Sequence, residues 1–163
     1  ERNKEKLPIY LYGQSMGAAA VLMASGYRLP SEVKGLIADC GFQSMERQMR
    51  DMADNWFHLH YIPLLLKEMD CLCHFVAGFR MKDADTTEAM KRNTRPVLFF
   101  HGEKDTYVYP NNSFQNYKLC KAPKELVIVQ GARHLCSAYA DPELYQRTVM
   151  EFFEKYDGSN SEK

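Results

Sequence analysis

Apolar and polar positions along this chain alternate between two patterns. Short, mostly apolar runs fall at 8–12, 33–39, 96–101 and 125–130. Such runs read as strands buried on both faces, because a strand with one wet face would alternate. Between them lie longer segments with helical spacing. Residues 15–25 predict a helix ended by Gly26 at the C′ position. Asp141-Pro142-Glu143 opens a last helix, with Asp as N-cap and Pro at the first helical position. Leu144, Val149, Phe152, Phe153 and Tyr156 give that helix an apolar face. Strands separated by helices predict an α/β fold, a mostly parallel sheet with flanking helices. Residues 157–163 are polar, and a disordered tail is expected there.

The stretch 43–93 is too long for a simple crossover. Met45, Met49, Met52, Trp56 and Phe57 recur at helical spacing. Tyr61-Ile62-Pro63-Leu64-Leu65-Leu66 starts a second helix at its proline, and Asp85 can cap a third through Arg92. The chain is thus read as one domain over 1–163, with 43–93 a small helical cap insertion. Most of its Met and aromatic side chains are expected to pack, and a minority to face a substrate.

The candidate chemistry lies at the strand ends. Ile9-Tyr10-Leu11-Tyr12 runs into Gly13-Gln14-Ser15-Met16-Gly17 and then Ala18-Ala19-Ala20. A strand, a G-x-S-x-G turn and a helix make a nucleophile elbow, in which a strained turn exposes the serine hydroxyl. Gly13 and Gly17 are expected to keep side chains out of the space where strand and helix nearly touch. The helix N-terminus suits an oxyanion, with the Met16 backbone N–H as one donor. The third apolar run ends in His101-Gly102-Glu103-Lys104-Asp105, and the fourth in Gly131-Ala132-Arg133-His134. The order Ser, Asp, His is that of one known triad architecture. Asp39 also ends a strand and is a rival for the acid.

These motifs together resemble the α/β-hydrolase superfamily, in its bacterial serine esterase and serine aminopeptidase-like branch. The resemblance runs from about Leu7 to Tyr156 and includes Ala38-Asp39-Cys40-Gly41-Phe42 after the second strand. It implies Ser15 as nucleophile, His134 as base and Asp105 as the acid that orients it. It also implies that the chain is the C-terminal portion of the fold, since the first four strands have no counterpart before the elbow. A second oxyanion donor would belong to that earlier part. An unpaired edge at Ile9 to Tyr12 then predicts self-association, or pairing with an N-terminal segment. In the family the insertion at 43–93 is a cap over the active site.

Composition narrows the alternatives. Lys plus Arg and Asp plus Glu number 21 each in 163 residues, so no basic surface argues for nucleic acid. No apolar span is long enough to cross a membrane. The five cysteines are odd in number and irregular in spacing, which fits reduced thiols and a cytoplasmic protein better than a disulfide framework. His58-Leu59-His60 and Cys71-Leu72-Cys73-His74 lack the spacing of common zinc sites, so no metal is expected. Asn111-Asn112-Ser113 matches a glycosylation acceptor but reads better as a turn and helix cap before Phe114. No phosphate-cradling glycine motif is present, and no cofactor is expected. Two function classes follow: a serine hydrolase acting on a small acyl substrate or short peptide, or a non-catalytic binding module that retains the three residues.

Overall fold

The computed structural model describes residues 3–58 and 63–157. Of the expected tail over 157–163, Asp157 is ordered and accepts from the Tyr10 hydroxyl at 2.9 Å, while 158–163 lie outside the described residues, as do Leu59, His60, Tyr61 and Ile62; the second insertion helix starts at Pro63 as expected.

Four strands form one sheet: β1 (Ile9–Gln14), β2 (Val33–Asp39), β3 (Val97–Gly102) and β4 (Lys124–Val129). Their spatial order is β1-β2-β3-β4, and all three pairings are parallel. Each parallel step needs a crossover. The helices that supply them are α1 (Met16–Ala24), α2 (Met45–Phe57), α3 (Pro63–Ala77), α4 (Thr87–Arg92) and α5 (Asn111–Leu119). A four-residue helix, α6 (Ser137–Ala140), and then α7 (Pro142–Tyr156) follow β4. The short α6 carries no periodicity and is not legible in the sequence.

The core divides by strand parity, because successive side chains point to opposite faces of a sheet. Leu36, Ala38, Val97 and Phe99 pack on one face with Ala18 and Leu22 of α1 and Met90 of α4. Ile37, Leu98 and Phe100 pack on the other with Phe152 of α7, joined by Val149, Phe153 and Tyr156. β2 and β3 are the central strands, and β3 is buried throughout. β1 and β4 lie at the edges among the described residues and are only half-buried.

The helix boundaries follow the local signals closely. Asp141 accepts a hydrogen bond from the Leu144 N–H at 2.9 Å, capping α7. Asp85 accepts from the Thr87 N–H at 2.7 Å, one residue ahead of the expected place, since Thr86 rather than Asp85 is the N-cap of α4. Gly26 does occupy the C′ position of α1, but not for its left-handed freedom, since its φ is not positive. A Cβ there would lie 2.8 Å from the Ala89 Cα, so the glycine admits α4 against α1. Asn112 and Ser113 differ from expectation: both are buried within the first turn of α5, and neither is its N-cap.

The segment between β2 and β3 is pinched at its base. Ser44 and Asp85 form an antiparallel bridge, flanked by Met45 N–H to the Ala84 carbonyl and Thr86 N–H to the Gln43 carbonyl, both 2.9 Å. Beyond that neck, α2 and α3 make an excursion with one deeply buried position on α3, Leu66. Behind it, α4 contributes Ala89 and Met90 to the sheet-covering layer. The 43–93 stretch therefore contains two kinds of structure, an outlying pair of helices and one helix of the core layer.

Candidate active site

Ser15 lies between the end of β1 and the start of α1, at φ 51° and ψ −115°. A non-glycine residue there is strained, and such strain persists only where the surroundings fix it. Here Gly13 allows the turn to close. A Cβ on Gly13 would lie 2.3 Å from the Gly17 carbonyl oxygen, inside any real contact. On Gly17 a Cβ would meet nothing within 4 Å. The expectation that both glycines keep space clear is thus corrected: Gly13 faces the helix backbone, whereas Gly17 faces outward. The Ser15 N–H donates to the Asp39 carbonyl at 2.8 Å, which ties the turn to β2. Met16 follows as the first residue of α1, where backbone N–H groups have no partner inside the helix.

Asp105 and His134 come from the loops after β3 and β4. These loops are laced together: the Glu103 N–H donates to the Val129 carbonyl at 2.9 Å and the Lys104 N–H to the Ala132 carbonyl at 2.8 Å. A Cβ on Gly102 would lie 2.5 Å from that Ala132 oxygen, so the approach requires glycine. His134 Nδ1 lies 2.7 Å from Asp105 Oδ2, and His134 Nε2 lies 3.0 Å from Ser15 Oγ. An ionised carboxylate only accepts, so Nδ1 carries the proton. The lone pair of Nε2 then faces the serine hydroxyl.

Asp105 is 2% exposed and fully engaged. Its Oδ1 accepts from the Tyr107 and Val108 N–H groups, both at 2.9 Å. Burial alone would push its carboxyl up. Hydrogen bonds from His101, His134 and Val108 outweigh burial and hold it well below the usual carboxylate range.

The rival acid, Asp39, is wholly buried but occupied elsewhere. It accepts from Ser137 Oγ at 2.8 Å, and from Gln14 Nε2 and the Tyr145 hydroxyl at 3.4 Å each. Burial raises its pKa, and the bonds from Ser137 and Gln14 only partly oppose that. Asp39 thereby joins the residue before Ser15 to the helix that follows the His134 loop. The structure brings Ser15, His134 and Asp105 together and leaves Asp39 outside that chain.

Three neighbours escaped the sequence reading. His101 is wholly buried, with Nε2 2.8 Å from the Val108 carbonyl and Nδ1 2.6 Å from Ser113 Oγ. A carbonyl can only accept, so Nε2 carries a proton. That nitrogen is also 3.4 Å from Asp105 Oδ2. The only prior signal was its place beside Gly102 in the same motif. The Tyr107 ring stacks on His134, centroids 4.7 Å apart and planes 28° from parallel. Its carbonyl accepts from Gln48 Nε2 of α2 at 2.6 Å, linking the outlying helices to the site. Cys40 is buried at φ 47°. Its thiol, with Asp105 and His134, makes the one trio of potential metal ligands among the described residues, their donor atoms within 4.8 Å of one another. Burial, with Asp39 nearby, pushes that thiol up to about 12, so it is neutral at pH 7. Cys71, Cys73 and His74 form no such group among the described residues.

A parallel sheet with a serine on a strained strand-to-helix turn, and an acid and a histidine on later strand ends, defines an α/β-hydrolase fold. Solved structures agree. The esterase domain of a Rhodothermus marinus protein superposes with a TM-score of 0.65 at 23% identity, covering 93% of this chain and 62% of that one. Acylaminoacyl peptidase of Pyrococcus horikoshii gives 0.69 at 17% identity, covering 97% and 25%. The chain belongs to the prolyl oligopeptidase family, which it matches over residues 5–160. It is also 27% identical over 151 residues to the YqkD protein of Bacillus subtilis, covering 93% of this chain and 49% of that one. The chain thus spans about half the length of that relative. Among the described residues, no helix is long and apolar enough to cross a membrane.

Proposed function

We propose that this protein is a serine hydrolase that cleaves an ester, thioester or amide bond through an acyl-enzyme on Ser15. The observation that carries the reading is the continuous chain of Ser15 Oγ, His134 and Asp105, with contacts of 3.0 and 2.7 Å. Ser15 Oγ attacks the acyl carbonyl as its proton passes to His134 Nε2. Asp105, held ionised, orients the imidazole and stabilises the imidazolium. The Met16 N–H and the N-terminus of α1 face the developing oxyanion. Collapse breaks the acyl bond, and the leaving alcohol, thiol or amine takes the proton from Nε2. Water then repeats the sequence and releases the acid. Tyr107, stacked on the imidazole, limits its rotation.

The Ser15→Ala variant tests the reading. Turnover of p-nitrophenyl acetate should fall at least about 10³-fold, and labelling by a fluorophosphonate probe should vanish, with the circular dichroism spectrum unchanged. Undiminished turnover in the variant would refute the proposal. A wild-type chain that takes no label would favour the non-catalytic module.

A further inference from the structure

We infer that the groove along α1 binds a linear aliphatic acyl chain, which makes the substrate an ester or thioester of a medium-chain fatty acid; this rests on the acyl-enzyme reading above. The groove is open to solvent along its length and has a volume of about 560 Å³, a size typical of small-molecule sites. Its floor is one stripe of α1 and the turn after it: Met16, Ala20, Met23 and Tyr27. Those positions lie on one side of a helix. Its opposite wall is Phe42, Met45 and Phe79, from the entry to α2 and the turn after α3.

Three features select an alkyl chain. First, the lining includes Met16, the residue that follows Ser15, so one end of the groove lies at the N-terminus of α1, where an acyl group esterified to Ser15 would enter it. Second, alanines at 20 and 24 leave the floor low. From Met16 to Ala24 the helix rises about 12 Å at 1.5 Å per residue. With carbon–carbon bonds of about 1.5 Å in a zigzag, that accommodates roughly eight to ten carbons. Third, the lining gives a peptide little to bond. Beyond its first turn the backbone of α1 is paired within its own helix, so a peptide main chain laid along Ala20 to Ala24 would lose water without gaining partners. Asp83 is the one charged residue among the described lining, and it accepts from the Arg80 N–H at 2.9 Å. A carboxylate at the rim also disfavours an anionic tail.

Two measurements on the 163-residue chain test the inference. With p-nitrophenyl esters from acetate to decanoate, kcat/KM should rise about two- to fourfold per added methylene until the groove is filled. Ala20→Phe, at an exposed site that tolerates a larger side chain, should lower the decanoate-to-acetate ratio of kcat/KM at least tenfold. Independently of turnover, the fluorescent fatty acid cis-parinaric acid should bind the Ser15→Ala chain, and at least tenfold more weakly when Ala20→Phe is added. Equal binding with and without that substitution, or a flat chain-length series, would overturn the groove. A change in sedimentation with unchanged binding would also overturn it, by marking the stripe as a contact between copies. Full ester turnover by Ser15→Ala would sink the acyl-enzyme reading instead, and the parinarate comparison would still decide the groove.

Discussion

Gly13→Ala and Gly17→Ala, two substitutions that look alike in the elbow motif, should have opposite effects. At position 13 the new methyl would lie 2.3 Å from the Gly17 carbonyl oxygen, 2.4 Å from its carbon and 2.7 Å from the Ala18 nitrogen. These are backbone atoms in the first turn of α1, so no side chain can swing aside. Ordinary contact begins near 3.4 Å, so the helix start must retreat by about 1 Å. Forced overpacking of this kind costs about 1–3 kcal/mol. A displacement of about 1 Å at a reacting group costs about 10²-fold in rate. At position 17 the methyl meets nothing within 4 Å, and alanine is better than glycine in a helix by up to about 1 kcal/mol. Thermal unfolding and the rate of fluorophosphonate labelling should be measured side by side. Gly13→Ala should lose several degrees of Tm and most of the labelling rate. Gly17→Ala should gain about 2–3 °C and keep its fold. A Gly13→Ala protein with unaltered Tm and labelling, or equal damage at both positions, would refute the claim that this one close approach sets the Ser15 turn.

Asp39→Asn tests the buried carboxyl between Gln14 and Ser137. Its folded pKa is raised, so the native state gains stability as pH falls and loses it as pH rises above the ordinary carboxylate value. The asparagine variant cannot titrate, so its urea midpoint should improve relative to wild type between pH 4.5 and 7.5; a constant difference would contradict the burial effect. Asp141→Ala removes the acceptor for the Leu144 N–H and should destabilise the chain by about 1 kcal/mol, read from urea unfolding. An unchanged midpoint would mean that packing of α7 on the sheet, rather than its cap, sets that end.

Much of the scaffold is written locally. A buried parallel strand must be apolar on both faces, and the centres of β2 (Leu36-Ile37-Ala38) and β3 (Val97-Leu98-Phe99-Phe100) are apolar runs for that reason. Asp141-Pro142 starts α7 because a side-chain acceptor and a fixed φ act within a few residues. The Gly-Gln-Ser-Met-Gly turn is legible because its strain demands particular residue types. The outer stripe of α1 was not legible. That helix is apolar on every side, so its periodicity could not separate the face packed on the sheet from the face lining a groove.

What the sequence by itself determined is the four strands, most of the helices between and after them, and the residue types placed at each strand end, since these depend on near neighbours in the chain, whereas the four-residue α6 left no such signal. What only the tertiary structure decided is which of those residues touch. Asp39 and Asp105 both end strands, yet Asp105 reaches His134 and Asp39 reaches Ser137. The difference lies in how the loops after β3 and β4 are laced together, a matter of bonds between residues some thirty apart. Likewise His101, Tyr107 and the neck at Ser44 and Asp85 gain their partners only when the sheet closes. Local signals fix dihedral angles, but a contact between distant residues depends on every angle in between, and the packed core is what selects among them.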